Sequence, residues 1–338
     1  MRIAILSGGD SSEHVISVKS AAQVKNWLEK AGHTCYTVVI TGADWSIREG
    51  DRIFRVDKDR FGFLGEEGYV IFDFAWNMIH GTPGEDGKLQ GYLDMMGIPY
   101  NTSNHLSSAL TFNKYICKTY LKQLQILTPE ACLVKRDMET DLEEIAEKVG
   151  IPCFVKPNNG GSSFGIAKVM KFEELQSAIQ AALNEDDEVI IERYIKGTEV
   201  TCGLMKTGEG FTVFPITEIV SKNEFFDYEA KYTRGMADEI TPARINDEMS
   251  RKCQHLASTI YELTDSSGLI RVDFIIKGNQ MYFLELNSIP GMTAESIVPQ
   301  QVECAGIPME AVLQRVIDHA VLQSGGQNEG PASRPFHH

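Results

Sequence analysis

At 338 residues the chain is too long for one small core and suits two or three packed domains. Hydrophobic residues make up 43% and charged residues 23%, the mix of a soluble globular protein, and no stretch approaches the roughly 18 apolar residues of a membrane span. A formal net charge of −15 argues against nucleic acid or a membrane surface as the main partner; an anionic ligand would need basic side chains gathered locally, with metal ions to help.

The first six residues carry one positive charge and a run of only four apolar side chains, Ile3-Ala4-Ile5-Leu6, before Ser7-Gly8-Gly9. That is too short for a secretory h-region and reads as a buried strand, so a cytoplasmic location is expected. Apolar residues Val15, Ile16, Val18, Ala21, Ala22, Val24, Trp27 and Leu28 then recur near the helical period, and Gly32 stops the helix before a strand over 35–40. Strand, glycine turn, helix and strand make a βαβ unit and start a parallel sheet. An apolar run over 70–79 leads into a Gly- and acid-rich loop at 80–87, a helix over 89–96 and an extended exit at 97–100.

A second unit starts with a helix over 106–124. Strands follow at 130–134, 153–156, 166–169 and 189–192, with helices at about 139–149 and 172–183, a pattern that suggests an α+β unit. Longer β runs begin at Thr198, then a polar stretch over 221–246, a helix at about 247–265, a β pair over 269–287 and a last helix near 308–322. Domains are expected at 1–104, 105–194 and 195–323, with a disordered tail over 324–338. The seven cysteines form no C-x-x-C pair and read as small core hydrophobes rather than disulfides or zinc ligands.

The β pair is the most informative piece. Arg271 and Asp273 share one face of its first strand, Glu285 and Asn287 one face of the second. A three-residue turn at Lys277-Gly278-Asn279 would set Asp273 opposite Phe283 and Arg271 opposite Glu285, gathering all four polar groups. Two carboxylates and an amide oxygen make a hard-oxygen cluster suited to magnesium. The bland alternative is an Arg271–Glu285 ion pair on a solvated face. A two-residue turn would scatter the cluster to opposite faces.

Lys156-Pro157-Asn158-Asn159-Gly160-Gly161-Ser162-Ser163-Phe164-Gly165 follows a strand and can bring backbone N–H groups, two hydroxyls and a lysine to phosphate oxygens. It does not match the P-loop pattern, and alone it is no more specific than a turn. The segment 189–199, an apolar strand breaking into acidic irregular chain, reads as a hinge or an ordinary edge strand. His80-Gly81-Thr82-Pro83-Gly84-Glu85-Asp86-Gly87 and the polar stretch around Tyr228-Glu229-Ala230-Lys231-Tyr232 read as a functional loop and a lid, or as solvated turns.

Together these segments resemble the D-alanine–D-alanine ligases of the ATP-grasp superfamily, in the same order from Gly8 to about Ile317. The combination Gly8-Gly9-x-Ser-x-Glu13, His80…Gly87, Lys156…Gly165, Tyr228…Tyr232, Arg271-x-Asp273 and Glu285-x-Asn287…Pro290-Gly291-Met292-Thr293 is very specific. The resemblance implies an α/β and α+β protein with the ATP-grasp fold and an N-terminal Rossmann-like parallel-sheet domain. It implies ATP and D-alanine as small-molecule substrates, two Mg²⁺ ions (Mn²⁺ as a substitute), and a homodimer. Lys114, Lys156, Ser163 and Lys231 would contact nucleotide or phosphate, while Glu192, Ile195 and Glu199 line the adenine and ribose pocket. Asp273, Glu285 and Asn287 would hold the metals. Glu13 would take the first D-alanine ammonium, with Ser162 and Tyr232 bonded to it, and His80 would serve the substrate site. Arg271 and the Gly291 N–H would form an oxyanion hole, and Ser296 and Ile297 would cradle the second carboxylate. Tyr232 looks like the dipeptide-forming class rather than the D-lactate-using one. The sequence departs from many relatives at Val15, where they carry an acid, and at Ile289, where a small polar residue is common.

Overall fold

The computed structural model describes residues 1–161, 165–221 and 237–327. Ser162, Ser163, Lys231 and Tyr232 lie outside the described residues, as does most of the expected lid.

The chain opens as the expected βαβ unit, with β1 (Arg2–Gly8), α1 (His14–Lys30) and β2 (Thr34–Thr41). β1 runs parallel to β2 and to β7 (Phe74–Asn77). The apolar run at 70–79 is not one element: β6 (Gly68–Ile71) ends before β7 begins. Between β2 and β6 lie β3 (Asp44–Glu49), β4 (Arg52–Asp57) and β5 (Gly62–Gly65), an antiparallel meander. The sheet order is therefore β6-β5-β4-β3-β2-β1-β7, mixed rather than purely parallel. One face buries Ala4, Leu6, Val38, Ile40, Phe63 and Phe72. The other buries Ile3 and Ile5 under Val24 and Leu28 of α1. Val316 and Ile317 of the last helix (Met309–Gln327) join that second core, so the two ends of the chain fold together. Each fully buried Leu or Ile contributes about 1.5–3 kcal/mol, enough for a few such contacts to fix the docking.

The helix expected over 106–124 is two helices, α3 (His105–Phe112) and α4 (Lys114–Gln123), after α2 (Lys88–Met96). Asn113 breaks them. Its backbone leaves the helical region (φ −80°, ψ 99°), and its side chain accepts the Ile116 N–H at 3.0 Å as an N-cap. Next comes a four-stranded antiparallel sheet, ordered β10-β9-β11-β8, from β8 (Ala131–Lys135), β9 (Cys153–Pro157), β10 (Ala167–Val169) and β11 (Glu188–Arg193). α5 (Leu142–Val149) and α6 (Leu175–Ala182) pack on it through Ile145, Val149, Leu175 and Ile179.

The third sheet runs β15-β14-β12-β16-β17, with β13 paired to β12. Its strands are β12 (Thr198–Thr207), β13 (Gly210–Val213), β14 (Thr217–Ser221), β15 (Ala237–Ile240), β16 (Leu269–Lys277) and β17 (Gln280–Asn287). One face packs Val200, Cys202, Ile270, Val272 and Phe274 against α7 (Asp247–Leu263). Strand alternation then turns Glu199, Thr201, Arg271 and Asp273 to the opposite face. α8 (Ile297–Cys304), not expected from the sequence, follows Ser296, with Pro299 in its first turn where a missing N–H costs nothing. The last helix, α9, extends to Gln327, so residues 324–327 of the expected tail are helical and 328–338 lie outside the described residues.

Candidate active site

The β16–β17 hairpin does not have the three-residue turn. Lys277 pairs with Gln280, leaving Gly278-Asn279 as a two-residue turn with Gly278 at φ 59°, and Phe274 lies opposite Phe283. Carried inward, that register would set Asp273 against Leu284 and swing Glu285 and Asn287 to the helix side. A bulge intervenes: Leu284 is the extra residue, and beyond it Asp273 pairs with Glu285 and Arg271 with Asn287. The four polar groups share a face after all, with partners one step removed from those expected.

Arg271 pairs along its own strand. Its Nε and Nη2 donate to the two oxygens of Asp273 at 2.9 and 2.8 Å, a buried two-point contact. Thr201 Oγ1, directly across β12, donates to Asp273 Oδ1 at 2.5 Å, and Asn287 Nδ2 donates to Oδ2 at 3.0 Å. Asp273, Glu285 and Asn287 are hard-oxygen donors on one face, the chemistry that suits a magnesium ion completing its shell with phosphate oxygens and water. Among the described residues no group of three or more His, Cys, Asp and Glu side chains gathers as a metal site, so the cluster remains two carboxylates and an amide.

A second charged group lies on the central sheet. Lys156 Nζ, at the end of β9, bonds Glu192 Oε2 of β11 at 2.6 Å, and Lys118 Nζ of α4 bonds Oε1. Burial opposes the charge on Glu192, but the two lysines outweigh it and hold its carboxyl down at about 2. Burial likewise opposes the charge on Lys156, yet Glu192, Glu285 and Glu199 keep it above the ordinary lysine range. Lys114 donates to the Gly160 carbonyl and feels Glu285, Lys156, Glu85 and Glu13, with burial lowering its affinity for the proton. Lys114 thus links the loop after β9 to the acidic groups of both neighbouring units. Ile195 is buried in the irregular chain between β11 and β12, and Glu199 lies two residues before Thr201 on its face.

Glu13 is buried at the N-terminus of α1. A Cβ on Gly161 would stand 2.8 Å from Glu13 Oε2, so at this approach any larger residue would displace the Glu13 carboxylate or the loop. Glu85, in the 80–87 loop, accepts the Gly81 N–H at 2.8 Å and the Ser288 hydroxyl at 3.4 Å. Burial, then the nearby Glu13, pushes its carboxyl up to about 8. His80 is buried in the same loop, its carbonyl accepting from Ser11 Oγ at 2.8 Å.

Gly291, Ser296 and Ile297 form a group of their own. A Cβ on Gly291 would lie 3.0 Å from Ser296 Oγ, and Ile297 is the buried first residue of α8. Gln301, one turn on and fully buried, ties this group to the polar face. It accepts the Gly203 N–H at 2.9 Å and donates to Thr201 O and Thr217 Oγ1, each at 3.0 Å. Here β12 exchanges β13 for β14 as its neighbour, and the amide fills the break. Val15 is 61% exposed on α1, so that departure falls on the surface, whereas Ile289 is buried with Met292 and Val298.

Sequence reasoning missed Glu85, Lys118, Thr201 and Gln301. Glu85 lay within a motif already singled out, and the i, i+4 spacing of Lys114 and Lys118 signals a shared helix face. Nothing local marks Thr201 or Gln301.

Residues 2–103 match the family described as D-ala D-ala ligase N-terminus, and residues 121–318 the one described as D-ala D-ala ligase C-terminus. The D-alanine–D-alanine ligase of Bacteroides fragilis is 47% identical over 320 residues, covering 94% of this chain and 98% of that protein. Among solved structures, the VanG D-Ala:D-Ser ligase of Enterococcus faecalis aligns over 94% of this chain and 99% of its own, at a TM-score of 0.82 and 32% identity. The Bacillus anthracis D-alanine–D-alanine ligase complexed with ATP aligns over 97% and 99%, at 0.78 and 28%.

Proposed function

We propose a function on one premise: the chain belongs to the D-alanine–D-alanine ligase family. It joins two D-alanine molecules into D-alanyl-D-alanine for peptidoglycan synthesis, with ATP cleaved to ADP and phosphate. The observation that carries the assignment of residues is the convergence of Arg271, Asp273, Glu285 and Asn287 on one face, with buried Lys114 and Lys156 within electrostatic reach of Glu285.

The first D-alanine carboxylate attacks the γ-phosphorus of ATP, ADP leaves, and D-alanyl phosphate forms. Glu13 holds the first ammonium, while Lys114, Lys156 and Lys231 neutralise charge on the phosphates, with Ser163 donating from the glycine loop. Asp273, Glu285 and Asn287 would hold two magnesium ions, with manganese as a substitute, which supply further neutralisation at the transferring phosphoryl group. Glu192, Ile195 and Glu199 line the adenine and ribose pocket. The second D-alanine, its carboxylate cradled by Ser296 and Ile297 and its approach lined by His80, attacks the acyl carbon as a free amine. Arg271 and the Gly291 N–H stabilise the tetrahedral oxyanion, which collapses with loss of phosphate. Ser162 and Tyr232 hydrogen-bond to Glu13 and close the lid, keeping water from the acyl phosphate. The cytoplasm as compartment and a homodimer as assembly belong to the same proposal and rest on family likeness.

The test is ADP release with ATP, Mg²⁺ and D-alanine, with L-alanine as control. D-specific turnover is expected; absence of D-alanine-stimulated ADP formation overturns the proposal. The likeness to a D-Ala:D-Ser ligase supports a second reading, in which D-serine is the second substrate. A mass-spectrometric product screen with D-alanine, D-serine and D-lactate separates the two.

A further inference from the structure

Lys118 has no part in the steps above, yet it is as enclosed as any charged group among the described residues. Its side chain and that of Glu192 are each 4% exposed, against 11% for Lys156. Glu192 therefore carries one ammonium on each oxygen: Lys118, from α4, on Oε1 and Lys156, from the end of β9, on Oε2. Stability alone does not require this. Apolar side chains of similar volume often replace a buried ion pair at no loss.

The two lysines are placed differently. Lys156 stands where β9 passes into the glycine loop, at the mouth of the nucleotide site proposed above. It can exchange Glu192 for a ligand oxygen or ring nitrogen. Lys118 is held within α4, 3% exposed, with its ammonium on Glu192 Oε1. If Lys156 leaves, only Lys118 remains to keep Glu192 ionised; without it, burial would drive the carboxyl to take up a proton. The ionisation state decides which base the carboxylate can face. A charged carboxylate is acceptor-only: it receives the 6-amino hydrogens of adenine and repels the 6-oxo group of guanine, whereas a protonated one can donate to that oxo group.

We infer that Lys118 is a positioning residue for base selectivity, acting through Glu192 as its permanent counter-ion so that the site takes 6-amino and rejects 6-oxo purine triphosphates. The inference rests on the nucleotide reading of Glu192. Burial pushes Lys118 down to about 8 while Glu192 is held at about 2, in keeping with a pair that stays charged at neutral pH.

The test compares ATP and GTP as phosphoryl donors for native protein, Lys118→Met and Lys118→Gln, with thermal unfolding as a control of folding. Loss of one hydrogen bond to a charged group should raise KM for ATP about tenfold in Lys118→Met, with kcat within about twofold. The ATP:GTP ratio of kcat/KM should fall at least about tenfold, a readout that a merely structural lysine would not move. Should Lys118→Met not fold, Lys118→Gln, which keeps a neutral donor at the Glu192 carboxylate but removes the counter-ion, carries the same expectation of lost selectivity. Native ATP:GTP selectivity in either folded variant, or a fall in kcat at unchanged KM, overturns the inference alone. Native protein that neither binds nor uses ATP overturns it together with the nucleotide reading.

Discussion

Gln301 occupies the one place beside Gly203 where a side chain on the strand would not fit: the Gly203 N–H donates to its Oε1 at 2.9 Å, and a Cβ on residue 203 would sit 2.5 Å from that oxygen. Gln301→Leu should leave the Gly203 N–H and the Thr201 carbonyl buried without this partner, at about 1–3 kcal/mol for each group. A loss of roughly 2–4 kcal/mol in urea unfolding is expected. KM for the second D-alanine should rise as well, because Ser296 and Ile297 lead the same helix. Unfolding and KM both at native values would remove the anchoring role.

Asp273→Asn keeps the shape of the side chain and removes its charge. The Mg²⁺ concentration for half-maximal activity should rise about tenfold or more, while KM for D-alanine stays within about threefold. Titrating Mg²⁺ and D-alanine separately checks this; equal effects on both would contradict the metal role.

Gly161→Ala puts a methyl 2.8 Å from Glu13 Oε2, so the Glu13 carboxylate or the loop must shift. The expected outcome is a rise of about tenfold in KM for the first D-alanine, with melting temperature little changed, since the loop is displaced rather than the core. An alanine variant with native KM would show that the loop and Glu13 are not held in this approach during turnover.

Glu85 gives a pH signature. Its folded value, about 8, lies above the 4.5 of a free glutamate, so between these values the folded state binds a proton that the unfolded state has released. Stability from this group is fully present below about pH 4.5 and falls as pH rises towards 8. Burial is the main cause; Glu13 adds to the rise, while the Gly81 N–H, Lys114 and the Ser288 hydroxyl oppose it. Glu85→Gln, neutral at every pH, should lack this slope. Its stability relative to native should improve by a few kcal/mol across that window. Parallel unfolding curves for the two proteins from pH 5 to 8 would count against the shift.

Where local pattern and tertiary environment agree, the sequence was readable. The βαβ start is legible because α1 repeats its apolar face at helical spacing and β1 is a continuous apolar run, as buried parallel strands are. The β3–β6 meander is not: its strands are four to six residues long, and Arg48, Arg52 and Arg55 dilute the apolar alternation. The polar face of β16 and β17 was foreseen from alternation, yet its register was not. The turn length follows from Gly278-Asn279, but the place of the bulge depends on how Leu284 is accommodated by the packed sheet. Lys114, Lys118 and Lys122 share one helical spacing, but only the first two are buried; Lys122 is exposed and pairs with Glu130. Burial of that kind is set by β9 and β11, far away in sequence.

The bulge at Leu284 divides the hairpin into two arms that count residues independently. The outer arm, from Gly278 to Phe283, answers to the turn; the inner arm, Glu285 to Asn287, answers to β12 through β16. Substitutions or turn exchanges near the tip that preserve the outer pairing can accumulate without rotating Glu285 or Asn287. Deleting Leu284 alone would remove the bulge and keep both pairings, because Glu285 would then follow Phe283 directly and still fall opposite Asp273, with Asn287 opposite Arg271. The single-residue deletion that this hairpin absorbs best therefore falls on Leu284, whereas losing one residue from Glu285–Asn287 would turn part of the polar face towards α7.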